Sequence, residues 1–177
     1  MYTSDIKEII VSEKEIIKKS QELGVKLTEI YKDKNPILIG LLKGSIPFMA
    51  ELMKHIKISL EIDFMDVSSY IGVASGELNI LKDLDSSIKG RNVLIVEDII
   101  DTGRTLLAVS EHLKNKGAKE IKTIALLDKP SRRVVDIHAD YIGFEIPDYF
   151  VVGYGLDFNQ KYRNLPFVGI LKEELYK

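Results

Sequence analysis

The sequence contains no cysteine, which excludes disulfides, thiolate zinc sites and cysteine nucleophiles together. It has no apolar run near the ~18 residues of a membrane-spanning helix. Its first residues, Met1-Tyr2-Thr3-Ser4-Asp5, lack the basic-then-apolar order of a secretion signal. Neither sign of charge dominates: 25 Lys and Arg against 27 Asp and Glu leave −2. No whole-surface attraction to nucleic acid or membrane is expected, and any anion site must be local. The histidines, His55, His112 and His138, stand far apart, and none reads as a metal ligand or base. Linkers, repeats and low-complexity tracts are absent too. What remains is a cytoplasmic enzyme or regulator in one domain, residues 1–177, long enough for a sizeable core.

What is present alternates between short apolar runs and longer amphipathic stretches. Ile6 to Val11 reads as an edge strand. Ser12 and Glu15 have capping-box spacing, and apolar positions from Ile16 to Ile30 carry a helix toward Lys32 before Asn35-Pro36 breaks it. Ile37 to Leu42 is a continuous apolar run suited to a strand covered on both faces. Gly44-Ser45 turns the chain, and Pro47 suits the first turn of a helix ahead of Phe48 to Ile56. Strand-like segments follow at Leu60 to Ser69 and Glu77 to Leu84, around a small-residue loop, 71–76. Asn92 to Val96 is a buried strand, and a helix from Arg104 to Lys116 closes at Gly117. Further strands are expected at Ile121 to Leu127, Tyr141 to Phe144, Phe150 to Gly153 and Phe167 to Leu171. This alternation implies an α/β fold with a mainly parallel central sheet, whose ligands bind beyond the carboxyl ends of the strands.

The most informative stretch lies at one such end. Strand Val93-Leu94-Ile95-Val96 runs into Glu97-Asp98, then Ile99-Ile100, then Asp101-Thr102-Gly103-Arg104-Thr105 at a helix start. Helix starts expose unpaired N–H groups and the positive end of the dipole. Gly103 permits close approach of a phosphate, and Thr102 and Thr105 add hydroxyl donors, so the loop reads as a phosphate cradle. It is not a Walker A loop, whose Gly-x-x-x-x-Gly-Lys pattern is missing. Carboxylates repel a bare polyphosphate but suit sugar hydroxyls or a bridging Mg²⁺. A phosphorylated sugar satisfies both halves of the loop. The blander alternatives are an acidic strand end with Asp101 as an ordinary N-cap, or a receiver-type acidic site, which would need a further acidic pair near the N-terminus.

This segment resembles the phosphoribosyl pyrophosphate (PRPP) signature of the type I phosphoribosyltransferase family. Four more stretches resemble its bacterial hypoxanthine-guanine branch: Leu41-Leu42-Lys43-Gly44-Ser45, Val67-Ser68-Ser69-Tyr70, Leu127-Asp128-Lys129-Pro130, and Pro147 to Arg163. Separated motifs in the right order, spanning almost the whole chain, are far more specific than any one of them.

The resemblance implies the type I fold, with a small hood formed by the chain ends. It also implies roles. Asp101 is the general base toward purine N7. Glu97 and Asp98 hold ribose hydroxyls and assist Mg²⁺, while Thr102, Gly103, Arg104 and Thr105 take the phosphate. Lys43 and Gly44 meet pyrophosphate through a loop whose peptide can be cis, Ser69 and Tyr70 open a lid, and Arg163 grips the same pyrophosphate. Lys129 reads the exocyclic oxygen of the purine, although a lysine taken alone reads as a surface residue. Phe150 stacks on the base and Val151 reads its edge, although taken alone both read as core strand residues, and Asp157 belongs with these purine-binding residues and binds a second Mg²⁺ on the pyrophosphate. Relatives often carry a longer lid rich in Gly, Ser and Thr, whereas here it is short and includes Ile71 and Val73.

The implied reaction joins a 6-oxopurine to PRPP, giving a nucleoside monophosphate and pyrophosphate, with Mg²⁺ as cofactor and a homodimer or homotetramer as the assembly. Two alternatives stand beside it. One is a sister enzyme for xanthine, adenine or a pyrimidine, against which Lys129 and the Phe150-Val151 segment argue. The other is a regulator on the same fold that binds nucleotide and RNA, for which a basic face is expected.

Overall fold

The computed structural model describes residues 2–68 and 79–177. In chain order the elements are β1 (Ile6–Val11), α1 (Glu13–Ile30), β2 (Ile37–Leu42), α2 (Ile46–His55), β3 (Glu61–Ser68), β4 (Asn79–Lys82), β5 (Asn92–Ile100), α3 (Arg104–Asn115), β6 (Glu120–Asp128), β7 (Tyr141–Glu145), β8 (Val151–Val152) and β9 (Val168–Leu171). Six strands form one sheet in the order β4-β3-β2-β5-β6-β7. All its pairings are parallel except β3 with β4. The expected α/β architecture with a mainly parallel sheet is therefore the one observed.

Alternate residues of the central strands explain the layering. Leu38, Leu94, Val96, Ile124 and Leu126 share a core with Ile16, Leu23 and Leu27 of α1 and Phe48, Met49 and Leu52 of α2. Ile37, Ile39, Leu41, Val93 and Ile95 face the other way, onto Leu106, Val109 and Leu113 of α3. Each fully buried Leu or Ile contributes roughly 1.5–3 kcal/mol, so both sheet faces are strongly specified. The capping box forms as spaced: Ser12 N–H donates to Glu15 Oε2 at 2.8 Å and Glu15 N–H to Ser12 Oγ at 3.4 Å. Such a cap is worth about 1 kcal/mol, and it fixes where α1 leaves the sheet edge.

The chain ends meet in a second, antiparallel sheet, β1-β9-β8, which is the expected hood. Val11, Val151, Val168 and Ile170 tie it to the core under α1 and α2. The N-terminal turn is locked to it as well, by Lys172 N–H donating to Asp5 O (3.0 Å) and Tyr162 OH to Asp5 Oδ2 (2.9 Å).

Several boundaries depart from the sequence reading, mostly by one or two residues. β5 does not stop at Val96 but runs through the acidic pair to Ile100, because β6 keeps pairing with it as far as Ile100↔Asp128. α2 carries Pro47 in its first turn as expected, and ends at His55 rather than Ile56. α1 ends at Ile30 rather than Lys32. Ser69, Tyr70 and the 71–76 segment, expected to form the lid, lie outside the described residues.

Candidate active site

The carboxyl ends of β2, β5 and β6 open on one side of the sheet. The chain leaving β5 forms a cavity of about 130 Å³, lined by residues 97–103, 105 and 106. Clefts that take whole small molecules run to ~300–1,000 Å³, so this cavity suits one group of a substrate. Gly103 stands at the N-cap of α3 with φ 83°, and no side chain caps the helix. The first-turn N–H groups are thus left for an external acceptor, as a phosphate site requires. Arg104 N–H makes only a long contact, 3.4 Å, with Thr102 Oγ1. Asp101 is therefore not the N-cap: it sits two residues too early and its carboxylate is engaged elsewhere.

Glu97 is buried at 8% exposure. Burial, then the neighbouring charge of Asp98, push its carboxyl well above the usual range. Burial likewise raises Asp98 to about 6, although Ile99 N–H donates to Asp98 Oδ1 at 2.8 Å and Arg163 pulls the other way. Gly44 packs directly on this carboxylate. A Cβ added to Gly44 would lie 1.7 Å from Asp98 Oδ2, and one added to Gly155 would lie 1.9 Å from Gly44 O. Gly155 in turn anchors Arg163, whose Nη1 donates to Gly155 O at 2.7 Å while Nη2 pairs with Asp157 Oδ1 at 2.7 Å. The predicted Gly44, Asp98, Asp157 and Arg163 thus form one continuous wall, with Lys43 exposed beside it. The Lys43–Gly44 peptide, which the resemblance allowed to be cis, is not the cis one: among the described residues the cis peptide is the bond before it, Leu42–Lys43. Among the described residues no three His, Asp or Glu side chains cluster as a metal cage. The predicted trio Glu97, Asp98 and Asp157 does not enclose a cation by itself.

On the β6 side, Lys129 is 7% exposed and is not the surface lysine its type suggests. Its N–H donates to Ile100 O at 3.0 Å and its Nζ to Tyr149 O at 2.6 Å, with Asp148 Oδ1 at 3.7 Å. One ammonium N–H is spoken for by the carbonyl, which leaves donors for a ligand oxygen. Val151 is buried in β8. Phe150 is 39% exposed rather than a core residue. Tyr176 stacks against it (4.6 Å between ring centroids, 20°) and Phe158 meets its edge (5.6 Å, 88°).

Three residues that the motifs did not single out hold the 101–105 loop from behind. Arg133 donates through Nη1 to Asp101 O and through Nη2 to the buried carboxylate of Asp128. Val134 N–H donates to Thr102 O at 3.1 Å. Arg132 donates from Nε to Asp101 Oδ1 at 3.2 Å. The only signal for them in the sequence is a pair of arginines after Lys129-Pro130-Ser131, some thirty positions away from the loop they support.

Comparison with known proteins gives a consistent picture. The phosphoribosyl transferase domain model matches residues 6–159. A hypoxanthine-guanine phosphoribosyltransferase of Streptococcus agalactiae is 56% identical over 178 residues, 99% of each chain. The protein of that description from Bacillus subtilis is 56% identical over 179 residues, 100% of this chain and 99% of its own. Among solved structures, a hypoxanthine phosphoribosyltransferase from Staphylococcus aureus superposes with a TM-score of 0.94 at 49% identity, covering 99% of this chain and 98% of that one. One from Trypanosoma cruzi, in complex with the product IMP, gives 0.94 at 35% identity, covering 99% and 100%.

Proposed function

The chain belongs to the phosphoribosyl transferase family, and we infer that it is a purine-salvage enzyme transferring 5-phosphoribosyl from PRPP to N9 of hypoxanthine or guanine, with release of pyrophosphate. The observation that carries this reading is the direct coupling of two subsites. Lys129, a buried cation on the base side, is hydrogen-bonded through its own N–H to Ile100, the residue before the Asp101 phosphate loop. A 6-oxopurine supplies the acceptor that an ammonium with only donors requires, whereas the 6-amino group of adenine does not.

The residues then act as follows. Asp101 holds or takes the proton at purine N7 while N9 attacks the anomeric carbon. The N–H groups of residues 102–105 and the hydroxyls of Thr102 and Thr105 hold the 5′-phosphate, and Glu97 and Asp98 take the ribose hydroxyls. Arg163 and the Lys43-Gly44 backbone receive the pyrophosphate, with Ser69 and Tyr70 assigned to the lid over it. Phe150 offers a ring face to the base and Val151 its backbone. The charge set fits Mg²⁺: crowded, desolvated carboxylates at Glu97 and Asp98, with Asp157 nearby, are relieved by a divalent cation. Mg²⁺ is commonly bound by one or two carboxylates together with substrate phosphates rather than by a full protein cage. When bound it neutralises the departing pyrophosphate. Cytoplasmic localisation and a homodimeric or homotetrameric state belong to the same reading and stand on the family alone.

The test is a PRPP-dependent assay with hypoxanthine, guanine, xanthine and adenine side by side, with and without EDTA. Turnover of hypoxanthine or guanine, lost in EDTA and restored by Mg²⁺, supports the reading. Preference for adenine overturns the base assignment, and full activity in metal-free buffer overturns the metal assignment.

A further inference from the structure

Asp101 is surrounded by little that would hold its side chain still. It lies in a bend after β5, outside the helix that follows, and its carboxylate is 44% exposed. Among the described residues, one side chain bonds that carboxylate. It is Arg132, whose Nε donates to Oδ1 at 3.2 Å. Arg132 is itself strung between two acids, because its Nη1 lies 3.7 Å from Asp148 Oδ2. It is placed by a tight turn, Pro130–Arg132, in which Arg132 N–H donates to Lys129 O at 3.1 Å. The next residue, Arg133, fixes the main chain of Asp101 from below. One short strap therefore grips both the backbone and the side chain of the same aspartate.

We propose that Arg132 is a positioning residue for Asp101: its single Nε hydrogen bond orients the carboxylate, engaging Oδ1 and leaving Oδ2 for the proton on the purine. Monodentate contact matters here. A guanidinium binding both oxygens would occupy the atom that the chemistry needs, whereas one held back by Asp148 reaches only one of them. A carboxylate that turns freely spends less time aimed at N7, and misplacement by about 1 Å at a reacting centre costs up to ~100-fold. The same turn carries Lys129, so the residue that reads the base and the residue that aims the proton acceptor move as one unit. This inference rests on the reading of Asp101 as general base given above.

The experiment is a double-mutant cycle of wild type, Arg132→Met, Asp101→Asn and the combination, with Arg132→Lys added. Single-turnover rates, KM for PRPP and melting curves are taken on the same preparations. Arg132→Met is expected to slow the chemical step about tenfold, with KM for PRPP and melting temperature nearly unchanged. Arg132→Lys, which keeps a charged donor, is expected to recover most of the loss. In the Asp101→Asn background, Arg132→Met is expected to change the rate less than about twofold, because the orienting bond then has no base to aim. An equal tenfold loss in both backgrounds, or no loss in wild type, overturns the proposal. A wild-type protein inactive with both hypoxanthine and guanine overturns the functional reading and this proposal with it, whereas an active wild type indifferent to Arg132→Met overturns the proposal alone.

Discussion

Asp63 and Asp98 are both aspartates on inner strands of the same sheet, and their surroundings are opposite. Asp63 is buried at 6% exposure and well supplied with donors. Phe64 N–H reaches Oδ1 at 2.7 Å, Asp85 N–H reaches Oδ2 at 2.9 Å, and Lys82 Nζ lies 3.5 Å from Oδ1. Lys82 also donates to Phe64 O and Asp83 O, tying the β3–β4 return together. Asp98 sits beside Glu97, and the pair is pushed upward in pKa by burial. A buried charge that is fully answered by its neighbours is part of the framework. A crowded pair of acids answered only in part marks a place where something else binds.

That contrast yields predictions that separate chemistry from folding. The largest effect is expected at Asp101. Asp101→Asn keeps the size and loses the basicity, so kcat should fall about 10²–10⁴-fold with melting temperature and PRPP affinity almost unchanged, as stopped assays and thermal denaturation would show. Near-normal kcat would place Asp101 with the framework residues. Lys129→Gln comes next. Gln retains a donor for Tyr149 O but loses the charge, so recognition of the 6-oxo group should weaken by about 1.5–3 kcal/mol, raising KM for hypoxanthine and guanine and narrowing their lead over adenine. A collapse of PRPP binding with base selectivity intact would put Lys129 in the wrong subsite.

Asp63→Asn should do the reverse. One of two backbone N–H groups loses its acceptor, at about 1–3 kcal/mol of stability measured by urea denaturation, while kcat of the folded enzyme stays put. A fall in kcat without a fall in stability would break the comparison. The smallest effect concerns Asp98. Its pKa of about 6 in the folded protein exceeds the ordinary 3.8. Between those values the folded state keeps a proton that the unfolded chain has released, so the stability from this group falls as pH rises from about 4 to 6 and stays lower above it. Asp98→Asn should therefore stabilise the ligand-free protein at pH 8, on the order of 1 kcal/mol, read as a raised melting temperature. With PRPP and Mg²⁺ present, the order of wild type and variant should reverse. A variant less stable than wild type in both conditions would class Asp98 with Asp63.

Much of this was legible in the sequence, for identifiable reasons. Apolar periodicity located the strands and helices because both faces of the sheet are covered. Ser12 and Glu15 located the start of α1 because the capping box is a local device. The sequence pattern was blind wherever a partner lies far along the chain. β5 reads as ending at Val96 because acids interrupt the apolar run, yet its pairing with β6 carries it to Ile100. Lys129 reads as a surface lysine until Tyr149, twenty residues on, supplies its acceptor. Phe150 reads as core until the second half of its environment turns out to be Tyr176, next to last in the chain. Arg132 and Arg133 carry no pattern of their own, and only the folded strap gives them a purpose. Asp101 reads as a cap because nothing local reveals that Gly103 already occupies that place.

The wall formed by Gly44, Asp98 and Gly155 has a consequence for how this protein can vary. Added methyl carbons would fall within 2 Å of the next layer at both glycines, so Gly155 cannot be exchanged unless the Gly44 backbone moves, nor Gly44 unless the Asp98 carboxylate gives way. Those two positions are locked against single-step change even though no side chain of theirs meets a substrate. In a saturation library scored for growth on salvaged purine, residues 44 and 155 should tolerate less than Lys43, which faces solvent beside them. The tightest sequence constraint in this wall would then fall on residues that bring backbone and no side chain.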